Sequence, residues 1–152
     1  MAYIETPDNV SGNAKVYGGA MVSRNAKVYG DAIVYGDASV YGNAMVYGDA
    51  IVYGNAMVYG NADIQSNDDW FSLIYQKKTL TGYRSRNKLG YELNVNGLGV
   101  AIDDLESDAI PFVKSLINKF TPLTNPERES IEKIISDLEK QLDDAKNKLK
   151  SL

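Results

Sequence analysis

Five basic side chains between tyrosines are the residues whose types lie closest to a binding chemistry. These candidate partner-binding residues are Lys77, Lys78, Arg84, Arg86 and Lys88. With Tyr75, Tyr83 and Tyr91 interleaved among them, they can grip phosphates or stack on single-stranded nucleic acid. The alternative, which we favour, is a solvated hairpin loop.

Catalytic chemistry is restricted by two residue types that are missing, since the chain contains neither histidine nor cysteine. A Ser-His-Asp or Cys-His nucleophile cannot be assembled, and a zinc site of the usual Cys/His type has no ligands. Carboxylates are numerous, but no pair stands out for acid–base work. We therefore predict a protein that is not an enzyme and has no catalytic, cofactor-binding or metal-binding residues.

Charge and hydropathy exclude two further classes of partner. The 152 residues include 16 basic and 20 acidic ones, for a net charge of −4, whereas a dedicated nucleic-acid binder is usually basic. No apolar run approaches the roughly 18 residues of a membrane span. Residues 1–7 have neither the basic start nor the apolar stretch of a signal peptide. We expect a soluble, cytosolic protein that binds neither nucleic acid nor a membrane.

A repeat of six residues organises the first 67 positions. Its aliphatic position is Ile or Val at eleven consecutive steps, from Ile4 to Ile64. Alanine lies two residues earlier at nearly every step, and glycine followed by Asn or Asp lies two residues later at most steps. Because six is a multiple of two, the Ala and Val side chains share one side of an extended strand, and the Gly-Asn/Asp pair turns the chain. Such short strands must coil and stack to bury their apolar side.

The motif Asn/Asp-Ala-x-Val-Tyr-Gly resembles the hexapeptide-repeat superfamily of left-handed parallel β-helices over residues 2–67. The resemblance implies a triangular prism with three hexads per turn, and hence about 3.7 turns. The acyltransferases and γ-type carbonic anhydrases of this superfamily generally use histidine, so neither mechanism can be carried over to this chain. Many members form trimers packed side by side.

Outward columns of apolar residues predict such a packing here. Positions three hexads apart stack on one face, which places a tyrosine column beside an isoleucine column. Strips of this kind are larger than a lone monomer normally exposes. We predict an oligomer interface there, and the alternative is that cross-strand aromatic pairs simply stabilise exposed strands. The interface residues are Tyr17, Ile33, Tyr35, Ile51 and Tyr53.

The remaining chain is predicted to form two further domains of a mainly β protein. Residues 68–102 should be an antiparallel meander that caps the solenoid, with strands over 70–75, 79–84 and 91–95 and Trp70 buried in the junction. Residues 103–152 should be a helical tail, with one helix over 109–120 and a long helix over 126–151.

The long helix carries an apolar stripe with steps of four and three residues, which is a heptad pattern. One interpretation is an intermolecular coiled coil through Ile135, Leu138, Leu142 and Leu149. The other is an αα-hairpin within one subunit, in which residues 109–120 pack against this stripe. The sequence favours neither.

Three segments together look like small accessory proteins of tailed bacteriophages and prophages: the Asn-Ala-Lys-Val-Tyr-Gly hexads, residues 79–86 and residues 100–106. The resemblance implies a phage context rather than an activity. Our leading hypothesis is a non-catalytic homo-oligomer, a dimer or trimer, in the bacterial host cytoplasm. Its rigid platform would bind a host protein and inhibit a host defence or nucleic-acid enzyme. One alternative is a spacer in the virion or tail, and another is a trap for a small ligand such as a nucleotide in grooves between subunits.

Overall fold

The computed structural model of the chain describes residues 1–120 and 126–150, and the side chains of the second segment over 133–148. It divides into two compact units, Met1–Thr121 and Pro122–Leu152.

Ten two-residue strands form three parallel sheets at the start of the first unit. The strands are β1 (Tyr3–Ile4), β2 (Lys15–Val16), β3 (Met21–Val22), β4 (Lys27–Val28), β5 (Ile33–Val34), β6 (Ser39–Val40), β7 (Met45–Val46), β8 (Ile51–Val52), β9 (Met57–Val58) and β10 (Asp63–Ile64). The sheet orders are β1-β3-β6-β9, β2-β5-β8 and β4-β7-β10. Val10 adds an eleventh rung through a bridge to Val28. This is a three-sided β-solenoid of a little over three turns, and it confirms the predicted repeat architecture.

The repeat's aliphatic and alanine positions fill the inside of the solenoid. Every valine from Val22 to Val58 in the hexad register and every alanine from Ala20 to Ala62 is fully buried. Ile64, at the last repeat position, and Trp70, beyond the repeat, continue this core. The burial of Trp70 agrees with its predicted position. The earliest rungs are different, because Val10 and Val16 are only partly buried.

The corners of the solenoid depend on glycine. Gly36 has a φ of +74°, and a Cβ added there would lie 2.9 Å from the main-chain nitrogen of Gly54 in the next turn. Both the left-handed backbone and the close stacking favour a residue without a side chain. Arg24 is the exception among the corners, with a φ of +58°.

A four-stranded antiparallel sheet follows the solenoid, with strands β11 (Trp70–Tyr75), β12 (Lys78–Arg84), β13 (Tyr91–Val95) and β14 (Leu98–Gly99) in sequential order. Three of these strands were predicted. The fourth, β14, is only two residues long and follows the tight turn at Asn96 and Gly97, both with positive φ, so it leaves no periodic pattern in the sequence.

A second core lies in this sheet and the helix that packs on it. Helix α1 (Ala109–Ile117) contributes Val113 to a cluster with Leu80 and Leu93. The helix is shorter than the predicted 109–120, because residues 118–120 form turns. Helix α2 (Pro126–Lys150) matches the predicted long helix, whose last predicted residue, 151, lies outside the described residues. Neither α-helix of the described segments has the length of apolar sequence that crossing a bilayer requires.

Candidate interaction face

One side of the solenoid gathers all five residues that were predicted as an interface on the repeat. Strands β2, β5 and β8 stack in register and place Ile33 against Ile51. The tyrosine that follows each strand forms a parallel column, in which Tyr17 and Tyr53 are about half exposed, at 50% and 51%. We call this surface the tyrosine face, and it consists of Tyr17, Ile33, Tyr35, Ile51 and Tyr53.

The rings of the tyrosine face stack on one another along the solenoid. The ring centroids of Tyr17 and Tyr35 lie 5.2 Å apart with an interplanar angle of 8°, and those of Tyr35 and Tyr53 lie 5.6 Å apart at 19°. Trp70 closes the column edge-on at 5.3 Å from Tyr53. Because neighbouring rings cover each other's faces, the column offers ring edges to a partner. Nucleobases bind aromatic side chains through ring faces, so this geometry suits a protein surface better than a planar ligand.

The part of the chain that follows the solenoid, residues 67–99, is called the cap. A groove of about 510 Å³ lies at the end of the tyrosine face nearest the cap. Its lining residues from the face are Tyr35, Ile51 and Tyr53, and those from the cap are Asn67, Trp70, Phe71 and Ser72. The main-chain N–H of Ile51 donates to Asn67 Oδ1 at 2.8 Å, so the asparagine takes the place of a further strand. The four cap residues were missed as site residues, because only the fold brings them beside the repeat.

The tyrosines of the other two faces stack in the same way, and their columns end at the last rung or at the cap. Tyr29 stacks on Tyr47 at 5.0 Å, and the Tyr47 hydroxyl donates to Asp63 Oδ1 at 2.8 Å. Burial, followed by this hydrogen bond, raises the pKa of Tyr47 to about 12. Burial also raises the pKa of Tyr59, whose ring lies edge-on to Tyr83.

Residues 26–41, 38–54 and 52–62 match the family model of the YdcK β-solenoid repeat. The matched segments lie in the middle of the solenoid and cover less than half of the chain, which is therefore similar to this repeat over that part. No curated protein matches the chain, and no solved structure does either. The match agrees with the stacked sheets in supporting a repeat β-solenoid.

The buried position of Arg84 shows that the predicted basic patch is wrong at that residue. Its guanidinium lies against the last rung of the solenoid, with Nη2 at 3.3 Å from Asp63 Oδ1 and Nε at 3.4 Å from Asp69 Oδ1. The Nε–H also donates to the Asp63 main-chain oxygen at 2.8 Å. Asp63 occupies an outward position of the hexad repeat, but its side chain is buried against this arginine. The arginine therefore joins the cap to the last rung rather than facing a partner.

The other four basic residues of the predicted patch are exposed but lie in two places. Lys77 and Lys78 are at the turn that begins β12, whereas Arg86 and Lys88 follow its other end. A seven-residue strand separates the two pairs by about 20 Å. Arg86 is also engaged, because its Nη2 donates to the Asn43 main-chain oxygen at 2.6 Å. The structure does not bring these residues into one binding surface.

The apolar stripe of α2 is exposed along its described side chains. Ile135, Leu138 and Leu142 each expose about half of their surface, between 49% and 57%. The side chain of Leu149 lies outside the described residues. The coiled coil and the αα-hairpin both stay predictions.

Metal ligands do not converge in the parts of the chain that the structure describes. Within residues 1–120 and 126–150, no three acidic side chains lie close enough together to hold a metal ion.

Proposed function

We propose that this chain is a non-catalytic interaction protein that self-associates through the tyrosine face and thereby presents a rigid β-solenoid platform. The observation that supports this most is the tyrosine face itself, where half-exposed stacked rings lie beside an isoleucine column. A contiguous apolar surface of this kind marks a protein–protein contact more often than it occurs on an isolated monomer.

Rigidity of the platform is what makes the tyrosine face suitable for binding. Its rings are already held by their neighbours at 5.2–5.6 Å, and Trp70 fixes the end of the column. Binding normally costs about 0.5–1.5 kcal/mol for each long side chain that becomes ordered. Since these rings are ordered beforehand, little of this cost remains.

A second copy of the chain is the partner that best fits the tyrosine face. The tyrosine and isoleucine columns of this face contain one charged residue, Lys15, at their N-terminal end. Two such faces can therefore meet without burying unpaired charges at their centre. The resemblance to hexapeptide-repeat proteins supports left-handed coiling and a dimer or trimer packed side by side.

The setting that we propose is a phage protein that contacts a host protein in the bacterial cytoplasm. This part depends on the resemblance of the hexads, residues 79–86 and residues 100–106 to phage accessory proteins. The rigid platform supplies a binding surface with no catalytic group, which suits inhibition of a host enzyme by contact alone.

The test is a pair of glutamates placed on the tyrosine face. In the Ile33→Glu, Ile51→Glu double variant, like charges and lost apolar contact should dissociate the side-by-side assembly. Static light scattering should then report a lower mass, while circular dichroism should stay that of the wild type, because both side chains point away from the lumen.

The matched control carries two glutamates at the same spacing on a neighbouring face. In the Met21→Glu, Ser39→Glu variant the paired positions belong to the β1-β3-β6-β9 sheet. Its mass should equal that of the wild type. If both double variants retain the wild-type mass, or the wild type is itself a single chain, association through the tyrosine face is refuted.

A further inference from the structure

The beginning of the solenoid ends in main-chain groups that no strand of the described chain covers. β1 and β2 are each the outermost strand of their sheet, and Val10 is the outermost rung of the third side. We call β1, Val10 and β2 the N-terminal rim. Tyr3 N–H donates to Ala20 O at 2.8 Å and Lys15 N–H donates to Ala32 O at 2.9 Å, so these groups point into the solenoid. Along a strand the groups alternate in direction, so those of Ile4 and Val16 point out of it.

The lumen is also open at the N-terminal rim. Ile4 occupies the hexad position that is fully buried in every later turn from Val22 onward, yet 40% of its surface is exposed. Val16 is only partly buried. An edge that combines unpaired main-chain groups with exposed apolar side chains is a template for pairing with another strand.

We propose that the N-terminal rim pairs end to end with the rim of a second copy, about a two-fold axis perpendicular to the solenoid and passing beside Val10. The rungs at Ile4, Val10 and Val16 are equally spaced in sequence. Such an axis therefore places Ile4 opposite Val16 of the second copy, in antiparallel orientation, on two of the three sides.

The ramp of a solenoid rim does not prevent this pairing. Because the chain coils, each successive rung of the rim lies further along the solenoid axis. Two rims related by a translation or by an arbitrary rotation therefore leave gaps of unequal height between their rungs. A two-fold axis perpendicular to the solenoid instead gives the rim of the second copy the same slope as the rim of the first. The gap between the copies is then the same at all three rungs, and one antiparallel ladder can form on each of the two sides that carry Ile4 and Val16.

The register set by this axis brings complementary side chains together. With Ile4 opposite Val16 of the second copy, Glu5 lies opposite Lys15 and Tyr3 opposite Tyr17, and each pair occurs twice. Opposite charges and aromatic residues are favourable cross-strand pairs. Tyr3 and Tyr17 are each about half exposed, and Tyr17 begins its column with one ring face stacked on Tyr35.

The side of the rim that carries Val10 contributes least to the contact between the two copies. Asn9 Nδ2 donates to the main-chain oxygens of Arg24 and Ala26, both at 2.9 Å, which holds the turn at Pro7–Asn9 against β4.

At the C-terminal end of the solenoid, Thr81 and Asn94 occupy main-chain groups of Met57. A two-fold contact uses both rims at once, so it closes at two copies and does not propagate into a fibre.

Cross-linking tests the register directly, because the natural chain contains no cysteine. In a Glu5→Cys, Lys15→Cys variant the two thiols of opposite copies fall at a non-hydrogen-bonded pair, with Cα atoms about 4.5 Å apart, within reach of a disulfide. Within one copy Glu5 follows β1 and Lys15 lies in β2, so the two positions are on different sides of the solenoid. Mild oxidation should give a covalent dimer on a non-reducing gel, and each single variant should stay a monomer there.

The same experiment in the Ile33→Glu, Ile51→Glu background separates this proposal from side-by-side association. The rim dimer should still cross-link in that background, even though the tyrosine face is disrupted. A double-cysteine chain that stays uncross-linked, or single variants that cross-link equally well, would overturn the proposed register.

A charge reversal gives a second, independent readout. In the Ile33→Glu, Ile51→Glu background, Glu5→Lys should raise the dissociation constant of the end-to-end dimer about tenfold, because two attractive pairs become repulsive. The control Asp8→Lys makes the same change of charge at an exposed position that lies opposite Gly12. Equal effects of the two variants in sedimentation equilibrium would count against the pairing.

Discussion

The two ends of the solenoid differ in how the main-chain groups of their outermost strands are paired. At the C-terminal end, side chains of the cap occupy the main-chain groups that a further turn would have paired. Met57 N–H donates to Thr81 Oγ1 at 3.2 Å, and Asn94 Nδ2 donates to Met57 O at 2.8 Å. At the N-terminal end, Ile4 and Val16 have no such cover among the described residues.

The tyrosine columns show the same difference. Trp70 and Tyr83 close two columns edge-on at the C-terminal end, whereas at the N-terminal end Tyr17 stacks on Tyr35 and no further ring of the described residues closes the column. A repeat supplies identical groups to every turn, so a cap has to come from sequence outside the repeat. This chain supplies one after Ile64.

The largest expected effect contrasts the closed lumen with the open rim. Val34→Asp places an unpaired carboxylate in the fully buried core, which should cost more than about 4 kcal/mol and unfold the protein. Ile4→Asp is the same kind of change at the rim, where water reaches the side chain, and should leave the fold intact. Circular dichroism of both variants checks this, and two unfolded proteins would mean that the rim is as closed as the lumen.

The next effect concerns how the cap is attached. Arg84→Leu leaves Asp63 and Asp69 buried without their counter-charge, and removing one partner of a buried ion pair costs about 3–5 kcal/mol. Arg86→Leu removes an exposed arginine of the same segment and should cost about 1 kcal/mol or less. Urea unfolding gives both values. Similar losses would show that the buried pairing does not hold the cap.

A smaller difference in stability is expected between a solenoid corner that the next turn covers and a corner that no turn covers. Gly36 and Gly54 have similar positive φ angles, but an added Cβ meets the next turn only at Gly36. Alanine at either position should cost about 1 kcal/mol for the left-handed backbone, and Gly36→Ala should cost about 1 kcal/mol more for the close contact. Thermal melts of the two variants supply the comparison, and equal melting temperatures would argue against tight stacking at the corner.

The smallest effect is a loss of stability at high pH beside the cap. Tyr47 has a folded-state pKa raised from 10.0 to about 12 by burial and by its hydrogen bond to Asp63. Between these values the unfolded chain has released the proton while the folded chain still holds it, so stability should fall as the pH rises from 10 to 12. Tyr47→Phe should lose part of this fall in urea titrations at a series of pH values. An unchanged slope would show that Tyr47 ionises alike in both states.

Periodicity made the solenoid and its tyrosine face predictable. Side-chain alternation fixes which residues enter the lumen, and the three-hexad turn fixes that Ile33 lies against Ile51. These are local rules, so each hexad repeats the same information. The three predicted strands of the cap follow from the same alternation.

Long-range contacts were beyond the reach of the sequence pattern. Arg84 looks like a surface residue among neighbouring lysines, and only the fold carries Asp63, 21 positions away, against it. The groove residues Asn67 and Phe71 likewise become part of the candidate site through the position of the cap. Such partners are set by packing between elements and leave no spacing that can be recognised beforehand.

The most direct test of self-association through the tyrosine face is the solution mass of the Glu5→Lys chain, in which the rim contact is weakened and the tyrosine face is intact. Light scattering at micromolar concentration should give a multiple of the 16.7 kDa chain mass, reduced by adding Ile33→Glu and Ile51→Glu. A mass of 16.7 kDa at every concentration would contradict the account.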